Sequence, residues 1–82
     1  MKVEHAMDRI QSAPKESPIL VMRSWERGHV NAVFASTVES ARLIRSRDPS
    51  VIGVFDSSDD RDSVRRKLES AIGESIRETV KA

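Results

Sequence analysis

Ser36-Thr37-Val38-Glu39 marks the point at which this chain changes from strand to helix. The spacing S-x-x-E is that of a capping box, in which the Ser36 hydroxyl accepts from the Glu39 N–H and the Glu39 carboxylate accepts from the Ser36 N–H. Residues 29–35, just before it, form a run of strand-favouring residues. We therefore predict a strand that ends at residue 35 and a helix that begins after Ser36.

Two strand-like runs precede this helix start, residues 19–25 and 29–35, with Glu26-Arg27-Gly28 between them. Three residues of this composition suit a hairpin with a type I turn, closed by a glycine with positive φ. The loop places six residues on one sheet face as three cross-strand pairs: Trp25 with His29, Arg23 with Asn31, and Val21 with Val33. The opposite face then carries Leu20, Met22, Ser24, Val30, Ala32 and Phe34.

A two-residue loop, Arg27-Gly28, is the alternative for this hairpin. It shifts the pairing by one residue and moves Arg23 into a row of apolar side chains. A one-residue slip exchanges the faces of a strand, so a charge in an apolar row argues against that register. The three-residue loop is therefore favoured.

The first part of the chain predicts an amphipathic helix over residues 1–12, because its hydrophobic residues recur at helical spacing. Pro14 and Pro18 end this helix, since proline removes a backbone donor and restricts the residue before it. Residues 13–18 are predicted to be a linker that tethers the helix to an α+β core of residues 19–82. We expect the whole chain, residues 1–82, to be one small domain.

The second half of the chain predicts a strand and a long helix. Asp48-Pro49 ends the middle helix, and residues 50–55 form a strand that is apolar on both faces, as in strands covered on both sides. The acidic residues 56–62 lead into the last helix, for which residues 58–60 are all competent N-caps. Its apolar stripe drifts around the axis, and Gly73 is a point at which the helix bends or stops.

The predicted order is helix, strand, strand, helix, strand, helix, which indicates an α+β fold. A right-handed crossover through the middle helix makes the third strand parallel to the second. Placed beside the first strand, it completes a three-stranded sheet in the order 2-1-3. The middle and last helices are expected to pack on the face of Leu20, Met22 and Phe34, which leaves the N-terminal helix for the other face.

Composition limits the possible functions. The chain has 14 basic and 13 acidic residues, so its formal net charge of +1 provides no overall attraction to nucleic acid or anionic membranes. It has no cysteine, which excludes disulfides, thiolate zinc sites and cysteine nucleophiles. The longest apolar run, residues 19–22, is far shorter than a membrane span. We expect a soluble cytoplasmic protein that does not bind membranes.

Candidate residues for catalysis or metal binding are few. The acidic run that begins at Asp56 departs from the EF-hand pattern, because Arg61 and Lys67 stand where a glycine and a bidentate acid are required. Helix capping explains these acids instead. The two histidines, His5 and His29, are not spaced as metal ligands. A hydrolase or nuclease would also need a cleft and a base, so we predict no enzyme, no cofactor and no metal.

Trp25 is the only tryptophan, and on the predicted face it lies beside arginine and other polar groups. That setting suits the energetic centre of a protein interface, although a tryptophan can equally close one end of a core. The apolar residues of this face exceed what one helix covers, and exposed apolar patches mark interfaces. We predict a protein-binding accessory or regulatory module, a homodimer or part of a complex, that binds through Arg23, Trp25, Arg27, His29, Asn31, Val21 and Val33.

Nucleic-acid binding is the alternative function. A tryptophan near Arg23 and Arg27 also suits the stacking of bases. The other basic residues that could contact phosphates follow helical segments: Arg42, Arg45, Arg47, Arg65 and Arg66. Acidic residues are interspersed among them, however, and this pattern is also that of a solvated, ion-paired helix surface.

Overall fold

The computed structural model describes the backbone of residues 1–81 and the side chains of residues 1–73. Within this part of the chain, six elements follow one another: α1 (Val3–Ser12), β1 (Ile19–Arg23), β2 (Val30–Phe34), α2 (Val38–Arg47), β3 (Val51–Phe55) and α3 (Arg61–Lys81). The predicted order of helices and strands and the α+β class are confirmed.

The three strands form one sheet in the order β2-β1-β3. β1 lies in the centre and runs antiparallel to both neighbours. β2 and β3 are therefore parallel to each other at opposite edges of the sheet. This is the predicted topology. The connection through α2 crosses the central strand and joins the two edge strands.

The register of the β1–β2 hairpin differs from the predicted one. Val21 lies opposite Ala32 rather than Val33, and Arg23 lies opposite Val30 rather than Asn31. The one-residue shift exchanges the faces of β2 relative to β1. It therefore separates Asn31 and Val33 from the odd-numbered residues of β1 with which they were predicted to share a surface.

The connection between the two strands is longer than predicted and explains the shift. The strands end at Arg23 and resume at Val30, and the turn is closed by the His29 N–H, which donates to the Glu26 carbonyl at 3.2 Å. Gly28 has the predicted positive φ, 74°, at the third turn position, as in a type II turn. Arg23 therefore lies in a row of apolar side chains, and the fold tolerates its charge there because Arg23 is the last residue of β1 and its side chain is exposed.

The main hydrophobic core lies between the sheet and two helices, α1 and α3, on what we call the α1/α3 face. Its buried residues come from all of these elements and from the segment after α1: Ala6, Met7, Ile10, Ala13, Ile19, Val21, Val30, Phe55, Val64 and Leu68. Two helices thus pack on one sheet face, but the pair is α1 and α3 rather than the middle and last helices. α3 joins α1 because Val64 and Leu68 bury their side chains in the same cluster as Met7 and Ile10.

α1 is an integral part of this core and not a tethered helix. At its start, Met1 and Val30 exchange backbone hydrogen bonds of 2.7 and 2.8 Å. At its end, the carbonyl of the fully buried Ala13 accepts from the Ser57 N–H at 2.9 Å. The segment predicted to be a linker therefore attaches α1 to the sheet, because its backbone groups are satisfied by the core.

The opposite side of the sheet, which we call the α2 face, has a much smaller core of Leu20, Ala35 and Ala41, with Val51 and Val54 packed against it. A bulge in the β1–β3 pairing places Val51 and Val54 on this face although they are three residues apart. Ile52 and Phe55 pack into the α1/α3 core instead. β3 is therefore covered on both sides, as predicted.

The residues that cap α2 and α3 lie at the predicted positions or one residue away from them. Thr37, and not Ser36, caps α2: it has extended backbone angles and its hydroxyl accepts from the Ser40 N–H at 3.0 Å. The predicted capping box is thus wrong by one residue. α3 begins after Asp60, one of the predicted caps, whose carboxylate accepts from the Ser63 N–H at 3.0 Å. α3 continues through Gly73.

Candidate functional site

Trp25 lies in the connection between β1 and β2, and 92% of its surface is exposed. The alternative in which this tryptophan closes one end of the core is therefore wrong. A large apolar side chain that makes so little contact with its own fold is unusual, since tryptophan is highly buried on average. Trp25 is consequently the first candidate for a residue that contacts something else.

The loop that presents Trp25 is held by hydrogen bonds that do not involve its side chain. The Glu26 N–H donates to the Ser24 hydroxyl at 3.2 Å, directly across Trp25. The His29 ring nitrogen Nδ1 lies 3.0 Å from the Arg27 carbonyl oxygen and 3.6 Å from a Glu26 carboxylate oxygen. A bridge between His29 and Lys2 attaches the end of the loop to the start of α1. The indole therefore projects from a braced loop.

The structure brings only part of the predicted binding surface together. Trp25, Arg27 and His29 share the loop, which we call the Trp25 loop and define as residues 24–29. Asn31 and Val33 lie on the α2 face, because their cross-strand partners Met22 and Leu20 are on that face. They are exposed, but they do not belong to the row that contains Val21.

Val21 does not lie on a surface at all. It has no exposed area, because α1 and α3 cover it within the main core. The prediction that Val21 belongs to a binding surface is therefore wrong. The prediction left this face to α1 alone, whereas α3 packs there as well.

Arg23 lines a shallow hollow at the other edge of the sheet, next to β3. The hollow has a volume of about 340 Å³ and is bounded by Arg23, Val51, Ile52, Lys67, Ser70 and Ala71. The Lys67 ammonium lies 5.9 Å from the centre of the Phe55 ring, within the range of a cation–π contact. Arg23 is thus part of a small basic area formed with α3.

The arginines proposed for nucleic-acid contacts do not form one surface. Arg42, Arg45 and Arg47 are exposed on α2, and α2 and α3 cover opposite faces of the sheet. Arg65 is engaged by α1: its guanidinium lies 3.0 Å from the Glu4 carboxylate. Arg66 is exposed on α3. A single phosphate backbone therefore cannot contact both groups along one face of the sheet.

The acidic segment after β3 is a capping loop, as predicted. Asp56 accepts hydrogen bonds from the backbone N–H and the hydroxyl of Ser58, and Asp59 accepts from the Asp56 N–H at 2.8 Å. The Ser58 hydroxyl is the main reason that the pKa of Asp56 lies below its ordinary value, and the Ser58 N–H adds to it. No cluster of metal ligands occurs among the described residues.

A cleft of about 220 Å³ separates this acidic loop from α1. Its floor is apolar and consists of Met7, Ile10 and Val64, and its rim is polar. The aspartates on the rim already accept hydrogen bonds from their own loop. The other polar residues that line the cleft are Gln11, Ser57 and Arg61.

The exposed surface at the end of β2 was predicted only in part, because Val33 was assigned to a binding surface and Phe34 was not. Phe34 is 53% exposed and Val33 is 44% exposed, although Phe34 was predicted to lie under helices. The reason is the path of α1, which starts beside Val30 at the outer edge of β2 and ends beside Ser57 after β3. α1 therefore crosses the sheet diagonally and leaves the end of β2 uncovered. The register shift, which the sequence pattern did not reveal, placed Phe34 on the α1/α3 face.

Comparisons with protein-family models, with curated proteins and with solved structures found no match. The proposals below therefore rest on the residues and their geometry. Among the described residues, no helix is both long and apolar enough to cross a membrane.

Proposed function

We propose that this chain is a small protein-binding module, accessory or regulatory rather than catalytic, whose binding surface is centred on Trp25. The observation that carries the proposal is the 92% exposure of this side chain on a loop braced by its own hydrogen bonds. The partner is another protein or a second copy of the chain. A cytoplasmic location, which suits a chain without cysteine, is part of the same proposal.

The energetics of interfaces favour Trp25 as the anchor of such a surface. Tryptophan and arginine are enriched among the residues whose truncation weakens binding by about 2 kcal/mol or more. Trp25 supplies a rigid apolar plate, and the exposed side chains of Glu26 and Arg27 supply polar groups of both signs next to it. An apolar centre with a polar rim is the usual anatomy of a protein interface.

The experiment is an affinity capture from the native host with the parent chain and with Trp25→Ala as baits. Leu43→Ala is the matched control, because Leu43 is also a large exposed apolar residue, on α2. Partners captured by the parent and by Leu43→Ala, but lost with Trp25→Ala, support the proposal. Equal capture by all three baits contradicts it. Circular dichroism of each bait confirms that the fold is retained.

A direct measurement then follows with the captured partner in purified form. Trp25 is the only tryptophan of the chain, so its fluorescence reports on this surface alone. We expect the emission to shift to shorter wavelength when a tryptophan-free segment of the partner binds, because the indole leaves water. An affinity loss of about thirtyfold for Trp25→Ala would correspond to the 2 kcal/mol of an interface anchor.

Nucleic-acid binding is the second candidate, and one observation favours it. Among the described residues, the side chains of Arg42 and Arg45 have no ion-pair or hydrogen-bond partner, and their spacing of three places them on the same side of α2. A nucleic-acid reader would bind generic oligonucleotides with an affinity that falls steeply with salt. Arg42→Ala and Arg45→Ala would each make that slope shallower. Absence of salt-dependent binding eliminates this candidate.

A further inference from the structure

The outer edge of β2 has backbone groups without partners. Val30 exchanges hydrogen bonds with Met1, so its N–H and carbonyl point away from β1. The direction of these groups alternates along a strand. Those of Ala32 and Phe34 therefore also point outward, and among the described residues nothing accepts from or donates to them there. We call Ala32, Val33 and Phe34 the β2 edge.

This edge has none of the features by which proteins prevent edge strands from pairing. Natural edge strands are protected by charged residues, proline, bulges or a covering element. β2 reads Val30-Asn31-Ala32-Val33-Phe34, without charge or proline, and its pairing with β1 has no bulge. Phe34 and Val33 are about half exposed on either side of it. The β2 edge is therefore a strand ready to accept another strand.

We propose that the β2 edge pairs with the β2 edge of a second copy of this chain, in antiparallel orientation, about a two-fold axis at Val33. In this register, Ala32 lies opposite Phe34 of the partner subunit, and the outward groups of these two residues hydrogen-bond each other. The symmetry repeats the same pair on the other side of the axis. All outward backbone groups of the β2 edge are then satisfied, and the sheet continues from one copy into the other.

Side-chain sizes favour a second copy over an unrelated strand. On the α1/α3 side, the large ring of Phe34 lies beside the small Ala32 of the partner subunit, so two rings do not collide at one position. On the α2 side, Val33 meets Val33 of the partner subunit across the axis. No charged residue of β2 approaches its own copy, as a two-fold interface requires of a self-complementary patch. The start of β2 is already occupied by Met1, which confines the pairing to this end.

This inference extends the proposed protein-binding function to a second surface and names the partner there. It does not depend on Trp25, which lies in the loop at the other end of β2. The two can therefore fail separately. Changes in the β2 edge test the pairing of two β2 edges, whereas the loss of captured partners with Trp25→Ala tests only the Trp25 loop.

A disulfide across the axis tests the register. Val33 and its symmetry mate form a pair that is not hydrogen-bonded, with Cα atoms about 4.5 Å apart, within the range that a disulfide spans. The chain has no cysteine, so Val33→Cys introduces the only thiol. We expect Val33→Cys to form a covalent dimer under mild oxidation, and Leu43→Cys, a control on α2 that is at least as exposed, to remain mostly monomeric. Equal cross-linking of both variants would overturn the proposal.

Sedimentation equilibrium tests the same contact without a covalent bond. The parent should sediment as a dimer of the 9.2 kDa chain at micromolar concentration. Ala32→Pro removes an outward N–H that the monomer does not use, which an edge strand tolerates, and Phe34→Lys places a charge beside the axis. We expect each to raise the dimer dissociation constant by about tenfold or more, with Leu43→Lys unchanged. A parent that remains monomeric, or variants that dimerise like the parent, would show that the β2 edge does not bind a second copy.

Discussion

The helices on the two faces of this sheet bury very different amounts of apolar side chain. On the α1/α3 face, Met7, Val21 and Leu68 are almost completely buried between the strands and two helices. On the α2 face, the single helix buries only Ala41, and Val38, Leu43 and Ile44 remain 39–52% exposed. The difference indicates that the α1/α3 face supplies most of the stability, whereas the α2 face and the nearby β2 edge keep apolar side chains exposed.

Ala41 explains why α2 covers so little. A small residue at the contact point lets the helix approach the sheet closely, but it contributes little apolar area, and stabilisation scales with the area removed from water. α1 and α3 instead place larger side chains between themselves and the strands, and they are joined by ion pairs of Glu4 with Arg61 and Arg65. These pairs are exposed at the surface, so they add little to the stability of the contact.

The largest expected effect on the free energy of unfolding comes from truncating one apolar side chain on each side of the sheet. Leu68→Ala should lower the free energy of unfolding by about 3 kcal/mol, because it leaves a cavity in the main core. Ile44→Ala should lower it by less than about 1 kcal/mol, since its side chain is 39% exposed on the α2 face. Urea denaturation of both variants checks this. Similar losses would mean that the two faces contribute equally.

Two glycines, Gly53 in β3 and Gly73 in α3, differ in the space that surrounds them. A Cβ atom at Gly53 would lie 2.7 Å from the Phe55 ring, which is itself buried. Gly53→Ala should therefore destabilise the fold by about 2 kcal/mol through overpacking. Among the described residues, a Cβ atom at Gly73 meets nothing within 4 Å, so Gly73→Ala, within α3, should be neutral or stabilising by up to about 1 kcal/mol. Thermal melting distinguishes the two, and an unchanged Gly53 variant would contradict the packing described.

The start of α2 should be sensitive to its cap because so little of this helix is buried. Thr37→Ala removes the hydroxyl that accepts from the Ser40 N–H and should lower the free energy of unfolding by about 1 kcal/mol. Ser36→Ala is the adjacent control and should change it by no more than about 0.5 kcal/mol, as for other surface substitutions. The reverse result in chemical denaturation would place the start of α2 one residue earlier.

The smallest expected effect lies at the end of α2, where stability depends on pH. The hydroxyl and backbone N–H of Ser50 donate to the Asp48 carboxylate and hold its pKa below the ordinary value of 3.8. A lowered pKa in the folded state stabilises the protein above that ordinary value, and the stabilisation is lost as the pH falls through the lowered pKa. Asp48→Asn should therefore flatten the acid part of the stability profile. Parallel profiles for parent and variant would contradict this.

The candidate binding surfaces could be predicted only in part. The composition singled out Trp25, the one tryptophan, but not whether it lies in the core or in solvent, because that depends on the length of the turn and on which elements reach it. Val21 was misplaced because α3 joins α1 on its face of the sheet. Phe34 was missed because of a register shift of one residue, and the hydrophobic pattern of β2, apolar at four of its five positions, does not distinguish the two registers.

Local chemistry was sufficient for the order of elements, the order of the strands, the positive φ of Gly28 and the acidic cap of α3. Each of these follows from residues close together in the sequence, or from the general handedness of crossovers. The partnership of α1 and α3, the diagonal path of α1 and the thin cover of the α2 face were decided by tertiary packing. They depend on contacts such as Met1 with Val30 and Ala13 with Ser57, which join residues far apart along the chain. Such contacts form only when the whole chain buries its apolar area, and no local window of sequence contains that balance.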